Sequence, residues 1–144
     1  SPQVFKYRNY QVSSNGNPYA HAILRGGVDG SGADVPNFHY ETVMQLAEMY
    51  GGSNLQNPAV IIDTNHSNSG KKFKQQIRIA EEVMQNRRFD SDFKRIVKGF
   101  MIESYLEDGN QSVDGNVYGK SITDPCLGWE KTEKLILEIA DTIK

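Results

Sequence analysis

Three short apolar runs punctuate the chain, and each breaks into polar residues before a helical stripe or a long loop begins. Ala59-Val60-Ile61-Ile62 is the clearest and reads as a fully buried strand. It gives way to Asp63-Thr64-Asn65-His66-Ser67-Asn68-Ser69-Gly70-Lys71. A helix follows over 71–87, with Phe73, Ile77, Ala80 and Met84 on one face. The strand over 21–24 ends on Arg25, and the strand over 97–102 ends on Glu103. Between the first two strands, Tyr40, Val43, Met44 and Ala47 form another helical stripe. Asn37 is its expected N-cap and Gly51-Gly52 its stop. A last helix starts near Leu127, with Trp129, Thr132, Ile136, Ile139 and Ile143 on one face. Residues 89–95 read as a connector.

Residues 4–12, Val-Phe-Lys-Tyr-Arg-Asn-Tyr-Gln-Val, read as a strand. Asn15-Gly16 supplies a turn signal after it, so the strand is expected to pair as a hairpin with residues 21–24. Residues 28–36 are an expected flexible loop. Residues 106–126 form a long polar loop whose second half, Tyr118 to Asp124, is varied enough in composition to favour an ordered, functional segment.

A hairpin followed by three strand–helix units predicts an α/β fold with a parallel sheet. A closed (β/α)₈ barrel needs eight strands and roughly 250 residues. A doubly wound domain would show about five strands. The chain is therefore a small open α/β sheet or the last part of a barrel. Polar residues at successive strand ends favour the barrel, because ligands of α/β proteins gather at the C-terminal ends of strands.

Composition narrows the function. The chain has 144 residues, enough for one domain with a core, and no internal boundary or repeat. Net charge is -2 and the pI about 5.9. The Lys and Arg residues of 71–98 are interleaved with acids and read as a solvated helix face, so no nucleic-acid partner is expected. No apolar run is long enough for a membrane span, and no signal pattern is present. A single cysteine, Cys126, fits a reducing, cytoplasmic compartment. In that setting the glycosylation patterns at Asn65 and Asn110 carry no meaning. The Ser1-Pro2-Gln3 start, without an initiator Met, reads as a cleaved tag, a proteolytic product or a fragment.

If the strands are parallel neighbours, Arg25, His66 and Glu103 open on one face, and Asp124 can fold back over it. A histidine with two carboxylates suits divalent Mn, Fe, Co or Zn rather than Ca. Arg25, beside Gly26-Gly27, can hold a phosphate or carboxylate bidentately. Each signal has a plainer reading. A lone strand-end histidine is more often a hydrogen-bonded structural residue, Arg25 a surface ion-pair partner, and Glu103 the partner of a Lys or Arg. A metal-free His/Glu acid–base pair would carry the same pattern.

Four strings sharpen the choice: Leu24-Arg-Gly-Gly27, Ile62-Asp-Thr-Asn-His-Ser-Asn-Ser-Gly-Lys71, Met101-Ile-Glu-Ser-Tyr-Leu-Glu-Asp-Gly-Asn-Gln111 and Tyr118-Gly-Lys-Ser-Ile-Thr-Asp-Pro-Cys-Leu-Gly-Trp129. In this order they resemble the class I (type I α) 3-deoxy-D-arabino-heptulosonate-7-phosphate (DAHP) synthases, nearly end to end. The resemblance implies the C-terminal part of a (β/α)₈ barrel. Residues 20–144 would hold three βα units, strands six to eight, and residues 4–19 an inserted β-hairpin region. It implies a divalent metal on His66, Glu103 and Asp124, with a fourth ligand, a cysteine, outside this chain. Cys126 belongs to the Asp-Pro-Cys motif and is expected to be structural. Arg25 would contact the phosphate of phosphoenolpyruvate, and His66 and Asp124 would be catalytic. The co-substrate would be erythrose 4-phosphate.

The resemblance further implies an aromatic amino acid as a feedback ligand near the hairpin, and homo-oligomers. Two departures from the family pattern stand out: the loop at 28–36 is longer than usual, and Phe38 replaces a tyrosine. Alone, the chain is expected to be inactive and to associate through exposed barrel-core surface. A related octulosonate synthase, acting on arabinose 5-phosphate, is a weaker match to the Gly-Lys-Ser-Ile-Thr-Asp and Met-Ile-Glu-Ser strings.

Overall fold

The computed structural model describes residues 2–143; Ser1, which opens the Ser1-Pro2-Gln3 start, and Lys144 lie outside the described residues. Three parallel strands organise it: β3 (Ala22–Leu24), β6 (Val60–Asp63) and β7 (Val97–Met101). They lie side by side in chain order, with β6 in the centre. Leu24 sits opposite Ile62, and Asp63 opposite Met101. Arg25, the residues after Asp63 and Glu103 therefore all emerge at one end of the sheet.

The remaining strands are short. β1 (Val4–Tyr7) and β2 (Tyr10–Ser13) form an antiparallel hairpin, and β4 (Gly27–Val28) pairs with β5 (Asp34–Val35). This corrects two expectations. The first hairpin turns at Arg8-Asn9, where Arg8 has a positive φ of 54°, and not at Asn15-Gly16. Residues 22–24 pair with β6 instead, because their apolar side chains gain more by joining the buried sheet than by closing a hairpin. The loop at 28–36 is a small hairpin rather than a flexible stretch. The Asp29 carboxylate holds its tip by accepting from Ser31 N, Ser31 Oγ and Ala33 N.

Helices cover one face of the sheet. They are α1 (Tyr40–Gly51), α2 (His66–Ser69), α3 (Gln75–Phe89), α4 (Ser91–Ile96) and α5 (Trp129–Ile143). Val60, Ile62 and Val97 pack against Phe38, Val43, Ile79, Val83, Phe93 and Ile96. A second cluster joins Ala80, Leu127 and Leu135. The opposite sheet face is more open: Ile23, in register with Ile61, is 45% exposed. Among the described residues no helix is long and apolar enough to cross a membrane.

Local differences from the sequence reading have physical causes. Residues 89–95 are no mere connector. Asp90 caps α4 by accepting from the backbone N–H groups of Asp92 and Phe93, and the Tyr40 hydroxyl donates to its other oxygen. The Phe93 N–H, then Tyr40, hold its carboxyl below the usual range. Asn37 is not the cap of α1; His39 stands there, and the Asn37 side chain is used elsewhere. The helix expected over 71–87 is observed as α3, which starts only at Gln75; ahead of it lies the short α2, ended by the left-handed conformation of Gly70. The buried side of α3 is Gln76, Ile79, Ala80, Val83 and Met84, so Phe73 and Ile77 lie only at its edge. In α5 the buried positions are Thr132 and Leu135, while Trp129, Ile136 and Ile143 are exposed.

Candidate functional site

The turn after β6 carries the site. Asp63, the last strand residue, is fully buried and meets two donors. Its Oδ1 accepts from Asn65 N at 2.9 Å, and its Oδ2 accepts from His66 Nδ1 at 2.8 Å. A carboxylate accepts, so Asp63 favours the tautomer with its proton on Nδ1 and leaves Nε2 as the nitrogen turned toward the other two carboxylates. His66 itself has a φ of 48°, a left-handed conformation that a residue with a Cβ adopts only at a cost. That backbone turns the imidazole back across the strand ends. Nε2 lies 3.4 Å from Asp124 Oδ2 and 3.8 Å from Glu103 Oε1.

Glu103 follows β7 directly. Asp124 arrives from the long loop at 106–126, which is tied down throughout. Gln111 donates to the carbonyls of Val117 and Lys120 and accepts from Val117 N. Gly109 and Cys126 exchange backbone hydrogen bonds, and Leu127 N donates to Glu103 O. The last segment of the loop therefore runs beside residues 103–105, where Ser104 and Leu127 form a parallel bridge. Asn65 Nδ2 donates to Pro125 O at 3.3 Å, closing the loop onto the His66 turn. The Cys126 thiol is buried and donates to the backbone carbonyl of Asp124. Burial pushes its pKa up; the Glu103 and Asp124 charges add to this, while Ser121 opposes it.

One donor atom from each of His66, Glu103 and Asp124 lies within 4.8 Å of the others. All three residues are half-buried, open enough for an ion to enter. One imidazole nitrogen and two carboxylates form a mixed N/O set of the kind that suits divalent transition metals. The Asp63–His66 hydrogen bond is the carboxylate–histidine arrangement that orients a metal-ligating imidazole. The residues present fit a divalent cation on these grounds.

Arg25 follows β3, exposed, at the same end of the sheet as this group. Its position is fixed by neighbours that the sequence reading did not single out. Asn68 is buried, and its Nδ2 donates to Leu24 O at 2.9 Å and Asp63 O at 2.7 Å. Its Oδ1 accepts from Asn37 N, and Asn37 Oδ1 accepts from Gly26 N. The ends of β3 and β6 are thus tied through two asparagine side chains. Gly26 has a φ of +75°, and a Cβ there would lie 2.8 Å from the backbone of Ser67 and Asn68. Gly26→Ala is expected to destabilise the chain by at least roughly 1–2 kcal/mol, the cost of a left-handed non-glycine residue, before the steric clash is added. A denaturant midpoint equal to that of the parent would show that the Arg25 turn does not pack on α2 as described.

Asp63 could have been found from sequence: a carboxylate three residues before a histidine at a strand end is a candidate orienting partner. Gln76, which lies under Glu103, had no such signal. It falls among the Lys and Gln residues of a stretch that reads as solvated.

The profile of the DAHP synthetase I family matches residues 3–137. The Trp-sensitive phospho-2-dehydro-3-deoxyheptonate aldolase of Enterobacter agglomerans is 42% identical over 137 residues, covering 93% of this chain and 36% of the relative. The Phe-sensitive enzyme of Escherichia coli (strain K12) is 38% identical over 137 residues, covering 92% of this chain and 36% of the relative. Among solved structures, the phospho-2-dehydro-3-deoxyheptonate aldolase of Francisella tularensis SCHU S4 superposes with a TM-score of 0.81 at 31% identity. The match covers 99% of this chain and 41% of that one. The chain spans little more than a third of the length of the curated relatives it matches.

Proposed function

The chain belongs to the DAHP synthetase I family, and from that premise we propose that it forms the metal-bearing part of a DAHP synthase. The full enzyme would condense phosphoenolpyruvate with erythrose 4-phosphate, the first step of aromatic amino acid biosynthesis. The observation that carries this reading is the convergence of His66 Nε2, Glu103 and Asp124 at the ends of adjoining chain segments. On this reading β3, β6 and β7 are strands six to eight of a (β/α)₈ barrel and the chain is its C-terminal part. Three parallel strands in chain order, with one face left half-open at Ile23, support that placement.

In the reaction, C3 of phosphoenolpyruvate attacks the aldehyde carbon of erythrose 4-phosphate, water adds at C2, and inorganic phosphate leaves. His66, Glu103 and Asp124 would hold a divalent metal, Mn, Fe, Co or Zn, which when bound supplies Lewis-acid polarisation of the aldehyde oxygen. Arg25 would grip the phosphate of phosphoenolpyruvate and offset its charge, fixing its reactive carbon in position. His66 and Asp124 would be the catalytic pair: with Nδ1 on Asp63 and Nε2 toward the metal, His66 would act by holding the metal, while the second carboxylate oxygen of Asp124 would hold a proton beside the reacting carbonyl. The exposed Phe5, Tyr7 and Tyr10 of the first hairpin would contribute to a site for an aromatic amino acid and to a contact in a cytoplasmic homo-oligomer. Two of the relatives are named for sensitivity to Trp and Phe.

The chain alone would be inactive, since the family's fourth metal ligand and its other phosphate-binding residues would come from outside it. The test is a chimera in which this chain replaces the matched segment of the Enterobacter agglomerans enzyme. Phosphoenolpyruvate consumption with Mn²⁺ and erythrose 4-phosphate is expected from the chimera and not from the chain alone. A folded, silent chimera would sink the assignment, and turnover by the chain alone would overturn the divided-site reading. Preference for arabinose 5-phosphate would move the chain to the octulosonate class.

A further inference from the structure

We propose that Gln76 is a positioning residue that holds Glu103 at a fixed separation from His66, a role that rests on the metal reading above. Gln76 is fully buried, in the first turn of α3. Its side-chain amide is matched to the backbone of Glu103: Oε1 accepts from Glu103 N at 2.9 Å, and Nε2 donates to Glu103 O at 2.9 Å. The same Oε1 lies 2.9 Å from Thr64 Oγ1, two residues before His66, and shares that hydroxyl's one proton with Met101 O at 3.0 Å. The ladder between β6 and β7 ends at Asp63 opposite Met101, with one further bond from Thr64 N to Met101 O. Beyond that point Glu103 has no strand partner on the β6 side. The Gln76 amide stands in for one, offering a donor and an acceptor as a peptide group would.

Packing alone does not explain a glutamine here. Burying an amide is unfavourable unless every polar atom is bonded, and an apolar side chain would fill the space without that demand. Both polar atoms of the amide are instead bonded, and their attachments lead to proposed ligands: Glu103 directly and His66 through Thr64. Leu127 N completes the hold on Glu103 O from the other side. With its backbone fixed by three hydrogen bonds, the Glu103 side chain starts from one place relative to the imidazole. Without Gln76, the end of β7 could drift from β6 and the ligand separation would vary.

The test compares the chain with Gln76→Met, which keeps side-chain length and loses both polar functions. Hydrogen exchange at the Glu103 amide reads the clamp without metal, and Mn²⁺ titration followed by electron paramagnetic resonance reads its consequence. Exchange at Glu103 is expected to speed up and Mn²⁺ affinity to fall about tenfold, the usual loss when a partner of a metal ligand is removed. Val83→Ala, a fully buried change about two turns further along the same helix, is expected to lower stability and leave Mn²⁺ affinity within about twofold. Thr64→Val removes one attachment of the clamp and serves if Gln76→Met does not fold; a smaller loss of affinity is expected.

Faster exchange with unchanged Mn²⁺ affinity would make the clamp structural only and overturn the proposal. Equal losses in Gln76→Met and Val83→Ala would overturn it as well, by reducing the effect to stability. Failure of the parent chain to bind Mn²⁺ at all would remove the metal reading first, and this role with it.

Discussion

Replacing His66 with alanine should remove Mn²⁺ binding by the chain and reduce turnover of the chimera to background. The imidazole is the one neutral donor in the group and stands between the two carboxylates. Without it, Glu103 and Asp124 face each other as like charges, open enough to water that each is better solvated apart. Two half-exposed carboxylates with no oriented third donor make a weak site. Folding must be separated from binding, because alanine at a φ of 48° keeps the left-handed strain while losing the hydrogen bond to Asp63. His66→Gly is the companion variant: it relieves the backbone and still lacks the ligand. Both should bind no Mn²⁺ in a paramagnetic resonance titration. A folded His66→Gly chain with the parent affinity would end the assignment of His66 as a ligand.

Asp63→Asn should produce a nearly isosteric chain with metal affinity lowered about 10- to 100-fold, the range for loss of a partner that orients a ligating histidine. The reason is the proton rather than the volume. Asn65 N still needs an acceptor, so the new side chain is expected to keep its oxygen toward Asn65 and turn its NH₂ toward His66. An NH₂ group can only donate, so Nδ1 must become the acceptor. The imidazole proton then moves to Nε2, the nitrogen that faces Glu103 and Asp124, and the lone pair a metal needs is lost. The defect should show in the NMR chemical shifts of the two ring nitrogens as an exchanged tautomer. Unchanged affinity together with the parent tautomer would refute the orienting role of Asp63.

The parts legible in the sequence are those set by short-range pattern. Ala59–Ile62 could only be a buried strand. Arg25, His66 and Glu103 each follow an apolar run, and the structure puts them at the same end of one sheet. The His66 and Glu103 side chains approach within 3.8 Å because adjacent parallel strands align their ends. The stripe of α1 and its glycine stop were equally local, and so was the polar loop before α5.

What tertiary structure decided is partnership. Residues 21–24 left the expected hairpin for a sheet, and Phe89 to Arg95 gained a helix once Asp90 could cap it and Tyr40 could stack on Phe93, with ring centroids 5.8 Å apart. The stripe of α5 rotated toward Leu135, because burial follows the neighbour a helix meets and not its average hydrophobicity. Gln76 and Asn68 show the limit most clearly. In sequence they are polar residues among polar residues, yet in the fold each is buried, with its amide bonded to backbone at the strand ends. Sequence alone determined which residues are the candidates for the chemistry and where along the chain they stand. Only the fold decided which carboxylate meets which face of His66, because hydrogen-bond partners far apart in the chain are chosen by packing and not by spacing.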